Sequence, residues 1–342
     1  MKLRFSPYLL EFKHPFTIAA GSRNSTPIVI TELEHEGVIG YGEASMPPYL
    51  GESHESVIRF LTRAEKILAF YKDPFEKEII LQQVDAIEKG NTAAKAAIDI
   101  ALHDLTGKLQ NKPCYTFWNA DRSKTPFSFF TIGMDSEEMI RQKVKEGEQF
   151  HFLKIKLSGE NDKSIIETIR SVSNKPIAVD VNQGWKDKYQ ALDMMEWLAE
   201  KNTLFVEQPL AKEKVDDMAW LTERSPLPTI ADESVQRLTD LEKIKNVFSG
   251  INIKLMKCTG MHEAAKMIRR ARELDLKILI GCMSETSCAI AAAAHLSPLV
   301  DWADLDGAEL IKNDLFRGTA LINGKMMPSD LPGIGVEKIG EN

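Results

Sequence analysis

Three carboxylates occupy comparable places in the second half of the sequence. Asp180, Glu207 and Asp232 each end a short apolar run, and the three runs follow one another along the chain. Oxygen ligands without an accompanying set of His or Cys favour Mg²⁺ over Zn²⁺, with Mn²⁺ as the alternative. If the three side chains converge, their charges repel, and a divalent cation is the simplest remedy. The pattern therefore predicts a single metal site, against the alternative of three solvated acids.

Lysines lie on either side of this trio in the sequence. Lys154 and Lys156 are two residues apart in the run LKIKL, so in a strand both side chains leave the same face. Lys254 belongs to a later run, NIKLM. Lys154 and Lys156, two cations close together near a metal, are expected to depress each other's pKa from about 10.4 toward a value suited to a base. A base on each side of one carbon inverts a stereocentre, whereas a solvent-exposed lysine pair is the alternative reading.

The elements that must position these residues form a regular series. Eight short apolar runs alternate with helical stretches, and they start at Phe129, Phe152, Pro176, Leu204, Pro228, Gly250, Lys277 and Trp302. This rhythm predicts an α/β fold, a modified TIM barrel of the (β/α)7β type over residues 125–312, with the active site at the C-terminal ends of the strands. A doubly wound sheet has a similar rhythm, but its glycine-rich phosphate motifs are absent. In a barrel the second strand faces the sixth, so Lys156 and Lys254 would oppose each other.

The first third of the chain has a different pattern. Residues 1–45 contain three strand-like runs, and a helical pattern follows from Ser53 to about Gln110. Within it, apolar residues at helical spacing predict an amphipathic helix around residues 97–105. Residues 1–115 are therefore predicted to form an α+β capping domain, to which 313–342 returns. Between the first two strand-like runs, the polar segment AAGSRNST at 19–26 is typical of a mobile lid loop.

Composition excludes several classes of protein. The formal net charge of −7 argues against a nucleic-acid surface. No apolar run approaches the roughly 20 residues of a membrane span. The four cysteines lack CxxC spacing, which fits reduced thiols and a cytoplasmic location. The expected partner is thus a small molecule, and whether the chain forms a homo-oligomer stays open.

Taken together, these motifs resemble the enolase superfamily, in its muconate-lactonising subgroup, and within that subgroup the dipeptide epimerases. The resemblance runs over nearly the whole chain and rests on LKIKL, VDVNQGW, FVEQPL, ADES, NIKLMKCTG and DLDG. It implies that the carboxylate trio binds Mg²⁺ and that Lys156 and Lys254 are the opposed acid/base pair. Lys154 would then be the electrostatic partner of the enolate. Lys257 rivals Lys254, but three residues further on it is expected on the other face of the strand.

The resemblance also implies how a substrate is held. Asp304 and Asp306 of DLDG are expected on one face of the eighth strand, where they resemble the grip of dipeptide epimerases on a free α-amino group. A solvated pair of acids is the alternative. Thr131 and Met283 match positions that contact the dipeptide backbone. Arg23 resembles the arginine with which Ala-Glu epimerases pair the glutamate side chain, although the matching position by count is Gly21.

The predicted function is therefore an isomerase, a Mg²⁺-dependent dipeptide epimerase. It would invert the α-carbon of the C-terminal residue through a metal-stabilised enolate, and conversion of L-Ala-D-Glu to L-Ala-L-Glu in cell-wall peptide metabolism is favoured. If Arg23 does not reach the side chain, a neutral or hydrophobic dipeptide replaces it. An o-succinylbenzoate synthase or muconate cycloisomerase keeps the enolate but eliminates instead. A binding protein without catalysis is the non-enzyme alternative.

Overall fold

A three-stranded antiparallel sheet begins the chain in the computed structural model, which describes residues 1–18 and 21–340. Its strands, in the order in which they pair, are β1 (Lys2–Ile18), β2 (Gly21–His35) and β3 (Val38–Ser45). The three predicted strands are present, but the expectation of a loop over 21–26 is wrong. Those residues begin β2, and Arg23 pairs with Phe16 across the hairpin. Backbone pairing needs no apolar side chain, so a polar segment can extend a strand. Ala19 and Ala20, which began the predicted loop, lie outside the described residues.

Three helices complete the first part of the fold: α1 (His54–Leu68), α2 (Lys77–Asp85) and α3 (Thr92–Leu109). Helix α3 packs directly on β3 because Gly42 has no side chain there; a Cβ at this position would lie 2.0 Å from the carbonyl oxygen of Ala97. Nearly every residue of α3 is buried, and not only one face as an amphipathic helix would have. The helix lies between the sheet and the rest of the molecule, so both of its sides are covered.

The remaining strands form one parallel sheet of eight that nearly closes on itself. In spatial and chain order they are β4 (Phe129–Ile132), β5 (Phe152–Lys156), β6 (Ile177–Asp180), β7 (Thr203–Glu207), β8 (Thr229–Ala231), β9 (Gly250–Lys254), β10 (Lys277–Gly281) and β11 (Trp302–Asp304). A bridge between Ser128 and Ala303 joins the last strand to the first. The predicted (β/α)7β barrel is confirmed, and all eight strands begin within one residue of the predicted positions.

Seven helices connect these strands: α4 (Glu137–Glu146), α5 (Asp162–Arg170), α6 (Lys188–Ala199), α7 (Val215–Arg224), α8 (Leu241–Ile244), α9 (Met261–Glu273) and α10 (Ser287–Ala294). Short 3₁₀ helices occur at Pro48–Leu50, Cys114–Trp118, Arg122–Lys124, Leu238–Asp240, Ser297–Leu299 and Gly307–Leu310. Among the residues described, none of the helices combines the length and apolarity needed to cross a membrane.

Inward-facing residues alternate along the barrel strands, and they form an apolar layer at the N-terminal end of the barrel (the floor) and a charged layer at its C-terminal end (the mouth). The buried side chains that pack together inside the N-terminal end of the barrel are Phe129, Ala178, Phe205, Ile230 and Leu279. Two residues further along the same strands stand Thr131, Asp180, Glu207, Asp232 and Gly281. Because residues i and i+2 of a strand point to the same face, these positions also face inward. The same alternation that fills the floor therefore brings the polar side chains together above it.

Two carboxylates from the first part of the chain fix it onto the barrel. Asp99 of α3 accepts hydrogen bonds from the first backbone N–H groups of α9, including that of Met261. Glu43 of β3 does the same for α10, accepting from the backbone N–H of Thr286 at 3.0 Å. Carboxylates are favourable at helix N-termini because unpaired N–H groups and the helix dipole are found there. These contacts set the position of the sheet and its hairpin over the barrel mouth.

The C-terminal segment contacts both parts of the fold. Its short strands are β12 (Phe316–Arg317), β13 (Ala320–Ile322), β14 (Lys325–Met327) and β15 (Glu337–Lys338), which pair as β12 with β15 and β13 with β14. The turn of the β13–β14 hairpin contacts the barrel, where the carbonyl of Gly324 accepts a hydrogen bond from Ser128. Further on, the backbone N–H of Ile334 donates to the buried carboxylate of Asp104 in α3 at 2.9 Å.

Candidate active site

The three predicted metal ligands converge at the ends of consecutive barrel strands. Asp180 ends β6, Glu207 ends β7 and Asp232 directly follows β8, and all three are buried. One carboxylate oxygen from each lies within 4.8 Å of the others, a spacing at which one cation can bind all three. Burial and the neighbouring carboxylate of Asp180 raise the pKa of Glu207, as expected for a cluster of like charges. The donor set, three oxygens and no His or Cys, suits a hard divalent cation.

The ligand-facing side of Glu207 is consistent with such a site. Its Oε2 atom is buried and makes no hydrogen bond to any described residue. Lys154 Nζ lies 2.7 Å from this oxygen as an ion-pair contact, but not in hydrogen-bond geometry. A buried carboxylate oxygen without a hydrogen bond is costly unless a ligand satisfies it. The residues present therefore fit a divalent cation.

The predicted acid/base lysines lie on different sides of this trio. Lys156 at the end of β5 donates from Nζ to Asp180 Oδ2 at 2.6 Å. Lys254 at the end of β9 donates to Asp232 Oδ2 at 2.7 Å. The two lysines thus stand on the second and sixth barrel strands, which face each other in a barrel of eight, with the carboxylates between them. Lys154, which shares a face with Lys156, contacts Glu207 and also Asp304 at 2.7 Å.

The expectation that Lys154 has a depressed pKa beside its neighbouring lysine is wrong in the protein alone. Burial by itself lowers the pKa of Lys154 and Lys254, but neighbouring carboxylates outweigh it and raise both well above the ordinary value. For Lys154 the largest such contribution is from Asp304, and for Lys254 it is from Asp232. The expectation from the sequence counted the neighbouring lysine and the metal, but not the carboxylates that pair with each lysine. A bound divalent cation would offset the charge of those carboxylates.

The two acids of the DLDG motif meet at the seam of the barrel. Asp304 is the last residue of β11, whereas Asp306 lies just beyond it and not on the strand as predicted. Both nevertheless reach Thr131, whose hydroxyl lies 3.4 Å from Asp304 Oδ1 and 3.3 Å from Asp306 Oδ1. Burial, and after it the charge of Asp304, raises the pKa of Asp306 to about 7. The structure thus brings Thr131 and the two acids together as one anionic corner.

A pocket at the barrel mouth contains the predicted residues. Its lining includes every residue with a predicted substrate or proton-transfer role and one predicted metal ligand, Asp232. The residues with substrate or proton-transfer roles are Lys154, Lys156, Lys254, Asp304, Asp306, Thr131, Met283 and Arg23. Phe16 and Gly21 of the hairpin, and Tyr49 of the 3₁₀ helix Pro48–Leu50, cover it from the other side. The hydroxyl of Tyr49 donates to Met283 Sδ at 3.3 Å, which joins the N-terminal part of the fold to the barrel over the pocket.

Arg23 reaches this pocket from the hairpin. Its guanidinium lies 5.7 Å from the centre of the Phe12 ring, and burial lowers its pKa. The Nη1 atom is buried and has no hydrogen-bond partner among the residues that the structure describes. Gly21, the position that matches by count, also lines the pocket but has no side chain to donate. An unsatisfied buried donor on a cation is suited to an anionic ligand.

Comparison with known proteins identifies the family. Residues 135–340 match the enolase C-terminal domain-like family, and residues 7–117 match the N-terminal domain of the mandelate racemase/muconate lactonizing enzyme family. This chain belongs to the enolase superfamily. It is 56% identical over 340 residues, covering 99% of this chain and 88% of the other, to an L-Ala-D/L-Glu epimerase of Bacteroides thetaiotaomicron.

Two solved structures of this superfamily are similar throughout. One is a dipeptide epimerase of Enterococcus faecalis complexed with Mg and L-Leu-L-Tyr, with 30% identity, a TM-score of 0.90, and coverage of 98% of this chain and 99% of the other. The other is a substrate-liganded L-Ala-D/L-Glu epimerase of Bacillus subtilis, with 27% identity, a TM-score of 0.92 and coverage of 99% of each chain. The predicted resemblance to dipeptide epimerases is confirmed, and so is the prediction of an isomerase.

Sequence reasoning missed or misplaced three residues of this enolase-superfamily site. Lys257 was expected on the far face of the sixth strand, but β9 ends at Lys254 and the chain then turns. The turn carries Lys257 back to Asp232, where its Nζ lies 2.5 Å from Oδ1. Asn252, two residues before Lys254 and therefore on the same inward face, donates to Glu207 at 2.7 Å. The period-two pattern already placed Asn252 inside the barrel, whereas no local signal placed Tyr49.

Proposed function

We propose that this chain is a Mg²⁺-dependent dipeptide epimerase that inverts the α-carbon of the C-terminal residue, with L-Ala-D-Glu and L-Ala-L-Glu as its substrates. The observation that carries the proposal is the placement of Lys156 and Lys254 on facing strands of one pocket, each beside a different member of the carboxylate trio. Inversion requires a proton donor and a proton acceptor on opposite faces of the same carbon, and this arrangement provides both.

The lysines perform the proton transfers in this proposal. In one direction Lys156 in its neutral form takes the α-proton, and Lys254 as an ammonium delivers a proton to the other face; in the reverse direction the roles exchange. Lys154, held between Glu207 and Asp304, keeps a positive charge beside the reacting carboxylate. A divalent cation on Asp180, Glu207 and Asp232 would supply further positive charge for the electron density that deprotonation leaves behind.

The two ends of the pocket account for the choice of substrate. Asp304 and Asp306 form an anionic corner that suits the free α-ammonium group of a dipeptide and repels a substrate with an anion there. Arg23 offers a buried, unsatisfied guanidinium nitrogen to the side chain of the second residue. Because the guanidinium is cationic, a glutamate side chain suits it better than an aliphatic one. The similarity to the Bacteroides thetaiotaomicron L-Ala-D/L-Glu epimerase supports the same choice.

Exchange with solvent tests this function directly. When L-Ala-L-Glu is incubated with the protein and Mg²⁺ in D₂O, the NMR signal of the glutamyl α-proton should disappear while L-Ala-D-Glu accumulates. The alanyl α-proton is an internal control, because the proposal leaves it untouched. A panel containing L-Ala-L-Leu and L-Leu-L-Tyr measures the preference for an acidic side chain. A panel without exchange at any α-carbon would rule out epimerisation, and exchange confined to neutral dipeptides would rule out the role of Arg23.

A further inference from the structure

In each carboxylate of the metal trio, one oxygen accepts a hydrogen bond from a group other than the three pocket lysines Lys154, Lys156 and Lys254. Asp180 Oδ1 accepts from the backbone N–H of Asn182 at 3.0 Å. Glu207 Oε1 accepts from the side chain of Asn252 at 2.7 Å, and Asp232 Oδ1 accepts from Lys257 at 2.5 Å. Among the described residues, the second oxygen of each carboxylate is paired with these lysines: Asp180 Oδ2 with Lys154 and Lys156, Glu207 Oε2 with Lys154, and Asp232 Oδ2 with Lys254. In each ligand, one oxygen is thus held by a group other than the pocket lysines, and the other oxygen is left on the side of the predicted metal site.

All of the hydrogen-bonding capacity of Lys257 is used in holding Asp232 and the backbone next to it. It is fully buried and does not line the pocket. Besides Asp232 Oδ1, its Nζ reaches the backbone carbonyl of Asp232 at 2.8 Å and that of Asn252 at 2.9 Å. Three acceptors satisfy all three donors of an ammonium group, so none remains for a substrate. The lysine therefore pins the end of the fifth barrel strand to the sixth and fixes the plane of one carboxylate.

The side chain of Asn252 also has one main contact and little free space around it. Its amide points its donor end at Glu207, while Oδ1 is buried and has no hydrogen-bond partner among the described residues. The space for this side chain exists because Gly281 on the neighbouring strand has no Cβ; a Cβ there would lie 2.6 Å from Asn252 Oδ1. An amide that leaves its own acceptor unsatisfied inside the barrel carries a cost, and the hydrogen bond to a carboxylate offsets it.

We propose that Asn252 and Lys257 are positioning residues for the metal, which hold the outer oxygens of Glu207 and Asp232 and so present Oε2 and Oδ2 to one cation. This inference rests on the metal site of the proposed function. Partners that orient metal ligands typically change metal affinity by about 10- to 100-fold when they are removed. Neither residue contacts the substrate pocket through its side chain, so the effect should appear in metal binding itself and not only in turnover.

Calorimetric titration of the chelator-treated protein with Mn²⁺ tests the inference without any dipeptide. Asn252→Leu and Lys257→Met should each weaken binding about 10- to 100-fold. Thr203→Val is the matched control: Thr203 begins the strand that Glu207 ends, its Oγ1 has no partner among the described residues, and binding should stay within about twofold. Circular dichroism of each metal-free variant checks its fold. If Lys257→Met does not fold, Gly281→Ala, which displaces the Asn252 amide, should weaken binding in its place.

The outcomes separate this inference from the function on which it rests. If the unchanged chain binds Mn²⁺ and both folded variants bind it within about twofold as tightly, the positioning role is wrong while the metal site stands. If the unchanged chain binds no Mn²⁺, the metal site and the positioning role both fail. Deuterium exchange into L-Ala-L-Glu, measured separately, reports on the epimerase reaction itself. Loss of affinity in the two variants, with none in Thr203→Val, supports the inference.

Discussion

The carboxylate of Asp306 accepts a hydrogen bond from the backbone N–H of Thr131 at 2.6 Å, across the seam where the last barrel strand meets the first. The bond fixes this acid in the pocket next to Asp304, whose own Oδ2 is paired with Lys154. Burial and the charge of Asp304 raise the pKa of Asp306 to about 7. The charge of Asp306 therefore changes near neutral pH.

That pKa predicts how substrate binding depends on pH. A carboxyl group with a raised pKa is neutral below it, so Asp306 loses its attraction for an ammonium group as the pH falls below about 7. We expect KM for L-Ala-L-Glu to rise on going from pH 8 to pH 6, by up to about tenfold per unit below the pKa, with a smaller change in kcat. Asp306→Asn should have a high KM at every pH and lack this rise. An equal rise in KM in the variant would assign the titration to another group.

Removal of either acid/base lysine should separate exchange from inversion. Lys156→Ala and Lys254→Ala are each expected to abolish epimerisation, because one face of the α-carbon loses its proton donor. The remaining lysine should still exchange the α-proton of the one stereoisomer that it faces. In D₂O, one variant should therefore label only the L-Glu dipeptide and the other only the L-Ala-D-Glu dipeptide. Full epimerisation by either variant would show that the lysine is not a catalytic residue.

Arg23 should control the choice of the second residue of the dipeptide. Arg23→Met keeps much of the apolar stem beside Phe12 but removes the guanidinium, so kcat/KM for L-Ala-L-Glu should fall by about 10²- to 10³-fold. For L-Ala-L-Leu it should stay the same or rise, because no cation is then left unpaired in the pocket. The ratio of kcat/KM for the two dipeptides is the quantity to measure.

Asn24 provides the control for this substitution. It neighbours Arg23 on the same strand, its side chain is exposed and it does not line the pocket. Asn24→Ser should leave both kcat/KM values within about twofold, because surface substitutions away from special contacts have small effects. A parallel loss for both dipeptides in Arg23→Met would instead indicate damage to the hairpin and contradict a role in side-chain recognition.

The sequence predicts the site well where the strand period applies. Phe205 and Glu207, or Ala178 and Asp180, show why: an inward apolar residue on the barrel floor fixes the direction of the residue two positions later. The convergence of the acids follows from barrel topology once the eight strands are identified. Lys257 lies outside this logic, because β9 ends at Lys254 and the turn beyond it sets the direction of the side chain.

Contacts between the N-terminal part of the fold and the barrel, and pairing within the N-terminal sheet, could also not be predicted from the sequence. Arg23 and its neighbours have turn-forming composition, yet backbone pairing with β1 makes them a strand, since the register of a hairpin depends on its partner. The buried Asp99 and Glu43 look like ordinary polar residues in a helix and a strand. Their role at the N-termini of α9 and α10 depends on elements more than 150 residues away in sequence, which no local pattern contains.

Asp99 should therefore be among the residues that stabilise the contact between helix α3 and the barrel. Asp99→Ala leaves the N–H groups of Met261 and His262 without a partner inside the protein, so the free energy of unfolding should fall by about 2 kcal/mol. Asp121→Ala is the control: Asp121 accepts from Ser123 N–H in the same way, but in an exposed turn where water can replace it, and the loss should stay below about 1 kcal/mol. Urea unfolding followed by circular dichroism measures both values, and equal losses would contradict the special role of Asp99.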